Sequence, residues 1–154
     1  MSVSTPHTPG RQVDVRGPRF AAWITTGVLV LALVVATFSP VAAAVILALQ
    51  TIVFALGAAL GPRRSPYGAL FARLVAPRLG APIETEPVEP LRFAQLVGFV
   101  FALVGTVAFF AGAIVVGSVA AGFALFAALL NAAFGVCLGC RIFPLVARMR
   151  RVPA

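Results

Sequence analysis

The chain has 154 residues, of which 61% are hydrophobic and 10% are charged, and its formal net charge is +8. The mean hydropathy of +1.06 excludes an ordinary soluble domain, and apolar stretches of this length are typical of membrane proteins. The positive charge comes from twelve arginines, because lysine is absent. These arginines flank apolar segments, so we interpret them as topology signals and contacts to the lipid bilayer, and we expect no nucleic-acid binding.

Residues 1–18 are polar, rich in proline, serine and threonine, and without apolar periodicity. This composition predicts a disordered cytoplasmic tail. The apolar run that follows is too long for the hydrophobic part of a signal peptide, so we expect no cleavage.

No charged residue occurs between Arg19 and Arg63. A helix needs about 20 residues to cross the hydrocarbon core, so this interval accommodates two crossings. The Ser39-Pro40 pair is the turn signal between them. The sequence therefore predicts two transmembrane helices, at about 20–38 and 41–60.

Residues 63–91 form the long polar interval of the chain. Ser65-Pro66 has the pattern of a helix N-cap followed by proline, and apolar residues recur after it at helical spacing. We predict a short amphipathic helix here, either in the headgroup region or packed against the bundle. The segment 80–90, rich in proline and glutamate, is expected to be an extended connector without regular structure.

The interval between Arg92 and Arg141 is again uncharged. It predicts two more transmembrane helices, at about 93–111 and 119–140, followed by a basic cytoplasmic tail over 146–154. The predicted fold class is all-α: a bundle of four transmembrane helices within a membrane domain over 19–145. The sequence R-F-A opens both helical pairs, at 19–21 and at 92–94, so we interpret the pairs as duplicated hairpins.

The two short loops between paired helices carry no charge, so every arginine falls on the opposite side of the predicted bundle. The arginines nearest the apolar runs are Arg19, Arg63, Arg64, Arg92 and Arg141. The positive-inside rule assigns their side, with both termini, to the cytoplasm.

Two amides, Gln50 and Asn131, lie within the second and fourth apolar runs. A buried amide in lipid requires a partner, so we favour a structural role in which the two bond to each other or to a neighbouring carbonyl. The functional alternative is that both line the path of a substrate.

Cys137 and Cys140 are the two cysteines of the chain and are the candidate catalytic residues, as a redox pair. Residues three apart share a helix face, and Gly139 between them eases disulfide formation. The predicted position is the C-terminal end of the fourth helix, where the dipole disfavours thiolate and Arg141 favours it. The more exposed Cys140 is the expected nucleophile.

Other roles for the cysteines stay open at this point. Two thiolates are half of a zinc site, which only a dimer would complete, so we expect no metal and no cofactor. Both side chains are also small and apolar enough to serve as fillers in a helix contact. Whether the protein is an enzyme is left open by the sequence.

Four motifs resemble the bacterial family known as domain of unknown function 4395. They are R-G-P-R-F-A at 16–21, P-x-x-S-P-Y-G at 62–68, E-P-L-R-F-A-Q-L-V-G at 89–98 and L-N-A-A-F-G-V-C-L-G-C at 130–140. The resemblance covers residues 13–145 and implies a small integral protein of the bacterial inner membrane. Family members are often encoded beside thioredoxin-like and rhodanese-type proteins, which implies thiol or sulfur metabolism. Where the family often has an acidic residue after the second cysteine, this chain has Arg141.

We therefore expect a thiol-redox or sulfur-relay component that works with a cytosolic thioredoxin-like or rhodanese-type partner. The alternatives are a non-catalytic membrane subunit or scaffold, and a small permease for a sulfur-containing anion. Four helices bury little internal volume, which is consistent with either a homo-oligomer or a partner subunit.

Overall fold

The computed structural model describes residues 11–151. Its elements, in chain order, are β1 (Gln12–Asp14), α1 (Arg16–Ala36), α2 (Pro40–Leu60), α3 (Pro66–Leu70), a π-helical segment (Phe71–Val75), α4 (Ala76–Leu79), β2 (Thr85–Pro87), α5 (Val88–Phe110), α6 (Ile114–Phe134) and α7 (Leu138–Arg151).

Helices α1, α2, α5 and α6 are apolar and have 21 to 23 residues each. At about 1.5 Å of rise per residue, each is long enough for a hydrocarbon core of about 30 Å. The predicted bundle of four transmembrane helices is confirmed, and the chain is a multi-pass membrane protein.

The four long helices form a closed ring in the order α1, α2, α5, α6, in which each contacts both of its neighbours. The turn between α1 and α2 falls at the predicted place: the Ser39 hydroxyl accepts a hydrogen bond from the Ala42 N–H at 3.2 Å, and Pro40 opens α2. The turn between α5 and α6 lies at Gly112, whose φ is +78°.

Small side chains fill the contacts between the four helices. The buried core consists of Leu29, Ala32, Ala36, Ala43, Ala44, Leu47, Phe109, Ala121 and Ala124. Larger apolar side chains such as Leu31, Leu49 and Val107 point outward and are more than half exposed. An apolar exterior around a small-residue core is the arrangement that lipid requires, because the tails solvate large side chains and small residues let helices approach closely.

The polar interval after α2 folds as a layer against one end of the bundle. Ser65 caps α3 by accepting the Gly68 N–H at 3.1 Å, as its sequence pattern predicts. The helix is then interrupted by the π-helical segment, whose Phe71 is buried against Phe20 of α1 with ring centroids 5.7 Å apart. Of the two predicted placements, this contact favours a helix packed against the bundle.

Two segments that were expected to lack regular structure form a small sheet, so these predictions are wrong. β1 and β2 are antiparallel, with Val13 opposite Glu86 and buried. Within the expected tail over 1–18, residues 12–14 form β1 and α1 starts at Arg16; residues 1–10 lie outside the described part. Because the pairing joins segments about 70 residues apart, local periodicity gave no sign of it.

The fourth transmembrane helix is α6, and the predicted span of 119–140 is wrong at both ends. Gly135 adopts a left-handed φ of +67°, and the Val136 N–H bonds back to the Leu130 carbonyl at 3.2 Å. This is the hydrogen-bond pattern of a glycine-terminated helix. The chain then turns into α7, which covers most of the predicted tail over 146–154; residues 152–154 lie outside the described part.

Candidate redox site

The two cysteines lie at the start of α7. The Cys137 Sγ accepts the Cys140 N–H at 3.2 Å, and the Cys137 carbonyl accepts the Arg141 N–H at 3.1 Å. Cys137 is therefore the N-cap of α7, and Cys140 lies in its first turn. The expectation that the pair ends a helix is wrong, and so is its electrostatic consequence. The positive end of the α7 dipole favours a thiolate at this position.

Cys137 and Cys140 form a disulfide, with their Cα atoms 5.2 Å apart. Both residues are half-buried, so the expected difference in overall exposure between them is not found. They differ in what surrounds them: Cys137 lines a cavity at the edge of the bundle, and Cys140 is not part of its wall.

Gly139 fixes the position of α7 against α5. A Cβ on Gly139 would lie 2.6 Å from both the Cα and the Cβ of Ala94, so only glycine permits this approach. The rings of Phe93 and Phe143 extend the contact, with centroids 5.9 Å apart. Close packing on α5 therefore accounts for the glycine between the cysteines, in addition to the flexibility inferred from the sequence.

The cavity has a volume of about 710 Å³ and lies between α1, α5, α6, α3 and the start of α7. Most of its wall is apolar, and the polar side chains in it are Asp14, Thr25, Arg63, Ser65, Gln95 and Asn131. It extends along α6 from Asn131 to Phe123, about 12 Å at the helical rise. Phe123 and Phe126 in the wall are more than half exposed, so the cavity reaches the lipid-facing surface.

The two predicted intramembrane amides have different surroundings. Gln50 is 1% exposed, and its Oε1 accepts the Tyr67 hydroxyl at 2.8 Å, while its Nε2 has no partner in the described part. Asn131 lines the cavity, and its side chain makes no hydrogen bond to any residue between 11 and 151. The expected bond between the two amides is absent from the described residues. Tyr67 was missed because its helix is separate from α2 in sequence.

The predicted interfacial arginines also differ from one another. Arg92 donates to the Ala58 and Ala59 carbonyls at 2.8 Å and so caps the C-terminus of α2. The guanidinium carbon of Arg19 lies 3.8 Å from where a Cβ on Gly135 would be, beside the negative end of α6. All five side chains are exposed, including the remaining three, Arg63, Arg64 and Arg141.

The small sheet carries two carboxylates with perturbed pKa values. Arg16 donates three hydrogen bonds to Asp14 at 2.7 to 3.1 Å and holds the pKa of that carboxyl below its usual value. The same guanidinium reaches the carbonyls of Leu79 and Gly80, so it ties the sheet to the end of α4. Burial raises the pKa of Glu86, and the nearby Glu84, just before the strand, raises it further.

The described residues contain no cluster of three His, Cys, Asp or Glu side chains that could hold a metal ion. The chemistry that the site offers is that of its sulfurs. They lie at a helix N-terminus and in the wall of an apolar cavity.

The fold and the site define a class: small α-helical membrane proteins with a Cys-x-x-Cys pair at the edge of a four-helix bundle. The chain belongs to the family described as domain of unknown function (DUF4395), whose model matches residues 13–148. No curated protein and no solved structure matches the chain.

Proposed function

We propose that this protein is a thiol-redox component of the bacterial cytoplasmic membrane, in which Cys137 and Cys140 alternate between disulfide and dithiol. The observation that carries the proposal is the N-cap position of Cys137. A thiolate at Cys137 gains the hydrogen bond of the Cys140 N–H and the positive end of the α7 dipole. A stabilised thiolate is a good leaving group in thiol–disulfide exchange, so a partner can readily reduce the Cys137–Cys140 disulfide.

The proposed partner is a thioredoxin-like protein that carries a dithiol. One of its thiolates attacks the Cys140 sulfur, the Cys137–Cys140 bond breaks, and Cys137 leaves as the thiolate. The second partner thiolate then attacks the partner's own sulfur in the mixed disulfide and displaces Cys140. The partner departs as a disulfide, and its two electrons and two protons reside on Cys137 and Cys140. Cys140 is the partner-facing residue because Cys137 is in the cavity wall.

The cytoplasmic orientation belongs to the same proposal. The positive-inside rule supports it, because Arg63, Arg92, Arg141 and the other arginines lie at the end of the bundle that holds the cysteines. Sealed vesicles test it directly, since the wild-type chain has only two cysteines to label. After mild reduction, a membrane-impermeant maleimide is expected to label inside-out vesicles and to spare right-side-out ones. The reverse pattern would place the pair on the other side.

A trapping experiment tests the redox function. The variants Cys137→Ser and Cys140→Ser each leave one thiol, which is offered a thioredoxin-like protein whose remaining active-site cysteine carries thionitrobenzoate. Cys137→Ser, with Cys140 free, is expected to form the mixed disulfide at least ten times faster than Cys140→Ser. N-ethylmaleimide is the control, because a small reagent reaches both thiols.

Two results contradict the proposal. One is equal conjugation of the two variants, or conjugation of neither. The other is a wild-type pair that stays unchanged by mass spectrometry of alkylated membranes after addition of the reduced partner.

The sequence also allowed a scaffold or a permease. Asn131 lines the cavity and Gln50 does not, so the two amides do not mark one path through the bundle. No described contact specifically favours a scaffold, and we adopt the redox function.

A further inference from the structure

The cavity beside Cys137 has the size and composition of a site for a small organic ligand. Its volume of about 710 Å³ is within the range of about 300–1,000 Å³ that is usual for such sites. Its wall is apolar apart from a few polar groups, and it reaches the lipid-facing surface at Phe123 and Phe126. An apolar ligand can therefore reach the cavity from the membrane.

Two features of the cavity wall favour a redox ligand over a lipid acyl chain as its occupant. The amides of Gln95 and Asn131 line the cavity without a hydrogen bond to any described side chain, so they are free to bind oxygen atoms of a ligand. A lipid acyl chain has no polar atom that could hydrogen-bond to these amides. The Cys137 side of the disulfide forms part of the same wall, so a ligand in the cavity meets the group that changes oxidation state.

Aromatic side chains complete this wall. The rings of Phe101 and Phe123 are 5.9 Å apart and both line the cavity. Tilted aromatic pairs of this kind offer faces and edges to a planar ring.

We propose that the cavity binds a membrane quinone, which takes the electrons that the Cys137–Cys140 pair collects. This inference rests on the redox function proposed above and names the second substrate of the same site. The amides of Gln95 and Asn131 donate hydrogen bonds to quinone oxygens, and the isoprenoid tail leaves between the exposed phenylalanines of α6. Partner and quinone thus use opposite sulfurs of one pair.

The electron transfer balances without a further reactant. The Cys137 thiolate attacks a ring carbon of the quinone, a C–S bond forms, and a ring electron pair moves onto oxygen. The Cys140 thiolate then attacks the Cys137 sulfur, the S–S bond forms, and the C–S bond breaks with its electrons left on the ring. The two protons of the former dithiol end on the oxygens. One dithiol and one quinone become one disulfide and one quinol.

A single-turnover experiment on the full chain in nanodiscs tests the inference. The protein is reduced, freed of reductant and mixed with decyl-substituted benzoquinone or naphthoquinone. Disulfide formation is followed by alkylation and mass spectrometry, and quinol by absorbance. One quinol is expected per disulfide, with a rate that saturates as the quinone concentration rises. Gln95→Leu and Asn131→Leu are each expected to raise the half-saturating concentration about tenfold while the saturated rate changes less.

Cavity filling supplies a second variant with a matched control. Ala127 lines the cavity and Ala133, on the same helix, is exposed and does not. Ala127→Trp is expected to abolish quinone-dependent oxidation, and Ala133→Trp to leave it unchanged. Exchange with the thioredoxin-like partner should survive in both.

The outcomes separate this inference from the function on which it rests. Partner exchange without saturable oxidation by either quinone, with phospholipid alone found in the cavity by native mass spectrometry, overturns the quinone site and leaves the redox function intact. Equal oxidation of Ala127→Trp and Ala133→Trp also overturns it. Loss of partner exchange in the wild type overturns the redox function itself.

Discussion

The two hairpins end in the same way and with different chemistry. In each, the second long helix stops at a glycine with positive φ, and a further helix begins a few residues later. After α2 the cap is Ser65, whose hydroxyl oxygen accepts the Gly68 N–H at 3.1 Å. After α6 the cap is Cys137, whose sulfur accepts the Cys140 N–H at 3.2 Å. Both caps line the cavity.

Folding and redox chemistry make different demands on the residues of this capping turn. A small side chain that accepts one N–H suffices to start the helix, and serine does this in the first hairpin. The second hairpin replaces both members of the capping turn by cysteine, so an ordinary capping geometry holds two sulfurs in bonding contact. Redox capability is then a property of two side chains, and the backbone of the turn is shared.

Cys137→Ser makes the second turn chemically like the first and should have the largest effect. Serine is a good N-cap, so α7 is expected to remain in place, whereas electron transfer from the partner falls to background because no disulfide can form. Thermal unfolding and partner oxidation are measured on the same preparation. A large loss of stability together with activity would show that the two caps are not equivalent.

Gly139→Val disturbs the contact that only the second hairpin makes with α5. The new side chain meets the Cα and Cβ of Ala94, and overpacking of this kind costs about 1–3 kcal/mol. We expect a lower Tm and easier proteolysis of α7. The double variant Gly139→Ala with Ala94→Gly should retain more stability than Gly139→Ala alone, since one of the two clashing atoms is gone. No gain from Ala94→Gly would contradict this packing.

Tyr67→Phe tests the polar contact that belongs to the first hairpin. It leaves the Oε1 of buried Gln50 without a donor, which lowers the free energy of unfolding by about 1–3 kcal/mol. We expect a value in the lower half of this range, because the Nε2 of the same amide is already unpaired. Adding Gln50→Leu should restore most of the loss, because the amide that lacked a partner is then removed. Denaturant titration in detergent measures both variants, and an unrecovered double variant would refute the assignment.

The smallest effect is expected at Asp14, which helps to hold the end of α4 through Arg16. Hydrogen bonds from Arg16 lower the pKa of Asp14 in the folded protein. Its contribution to stability is therefore present above the usual carboxyl pKa and disappears as the pH falls through the lowered one. In Asp14→Asn, Tm is therefore expected to fall less than in the wild type as the pH is lowered from about 5. Near pH 7 the substitution is expected to change Tm less than the variants at Gly139 and Tyr67 do. If Tm of Asp14→Asn falls at low pH as it does in the wild type, the Asp14–Arg16 ion pair is not the cause of that fall.

Much of the fold was predictable because lipid imposes simple rules on sequence. Uncharged intervals long enough for two crossings each predicted four helices, and Ser39-Pro40 predicted the first hairpin turn. The cap at Ser65 was equally readable, since its pattern is local. The cysteine pair was identified as the candidate site for the same reason.

The break after α6 was missed because hydropathy does not change across it. Residues on both sides of Gly135 are apolar, so the fourth span was placed too far along the chain, and the cysteines were assigned to the wrong end of a helix. The signal was present in length: α6 already has 21 residues at Phe134, which is sufficient to cross. If the 21 residues of a membrane span are counted from a turn at Gly112, the helix ends near Phe134, before the cysteines.

The sequence by itself determined the number of membrane helices, the side of the bundle on which charge collects, and the identity of the two sulfurs, because composition and charge decide what enters lipid. Tertiary structure decided the rest: the sheet between distant segments, the Tyr67–Gln50 bond, and the cavity that α1, α5 and α6 line beside Cys137. These features join residues far apart in the chain. Only packing can bring such residues together, so no local pattern predicts them.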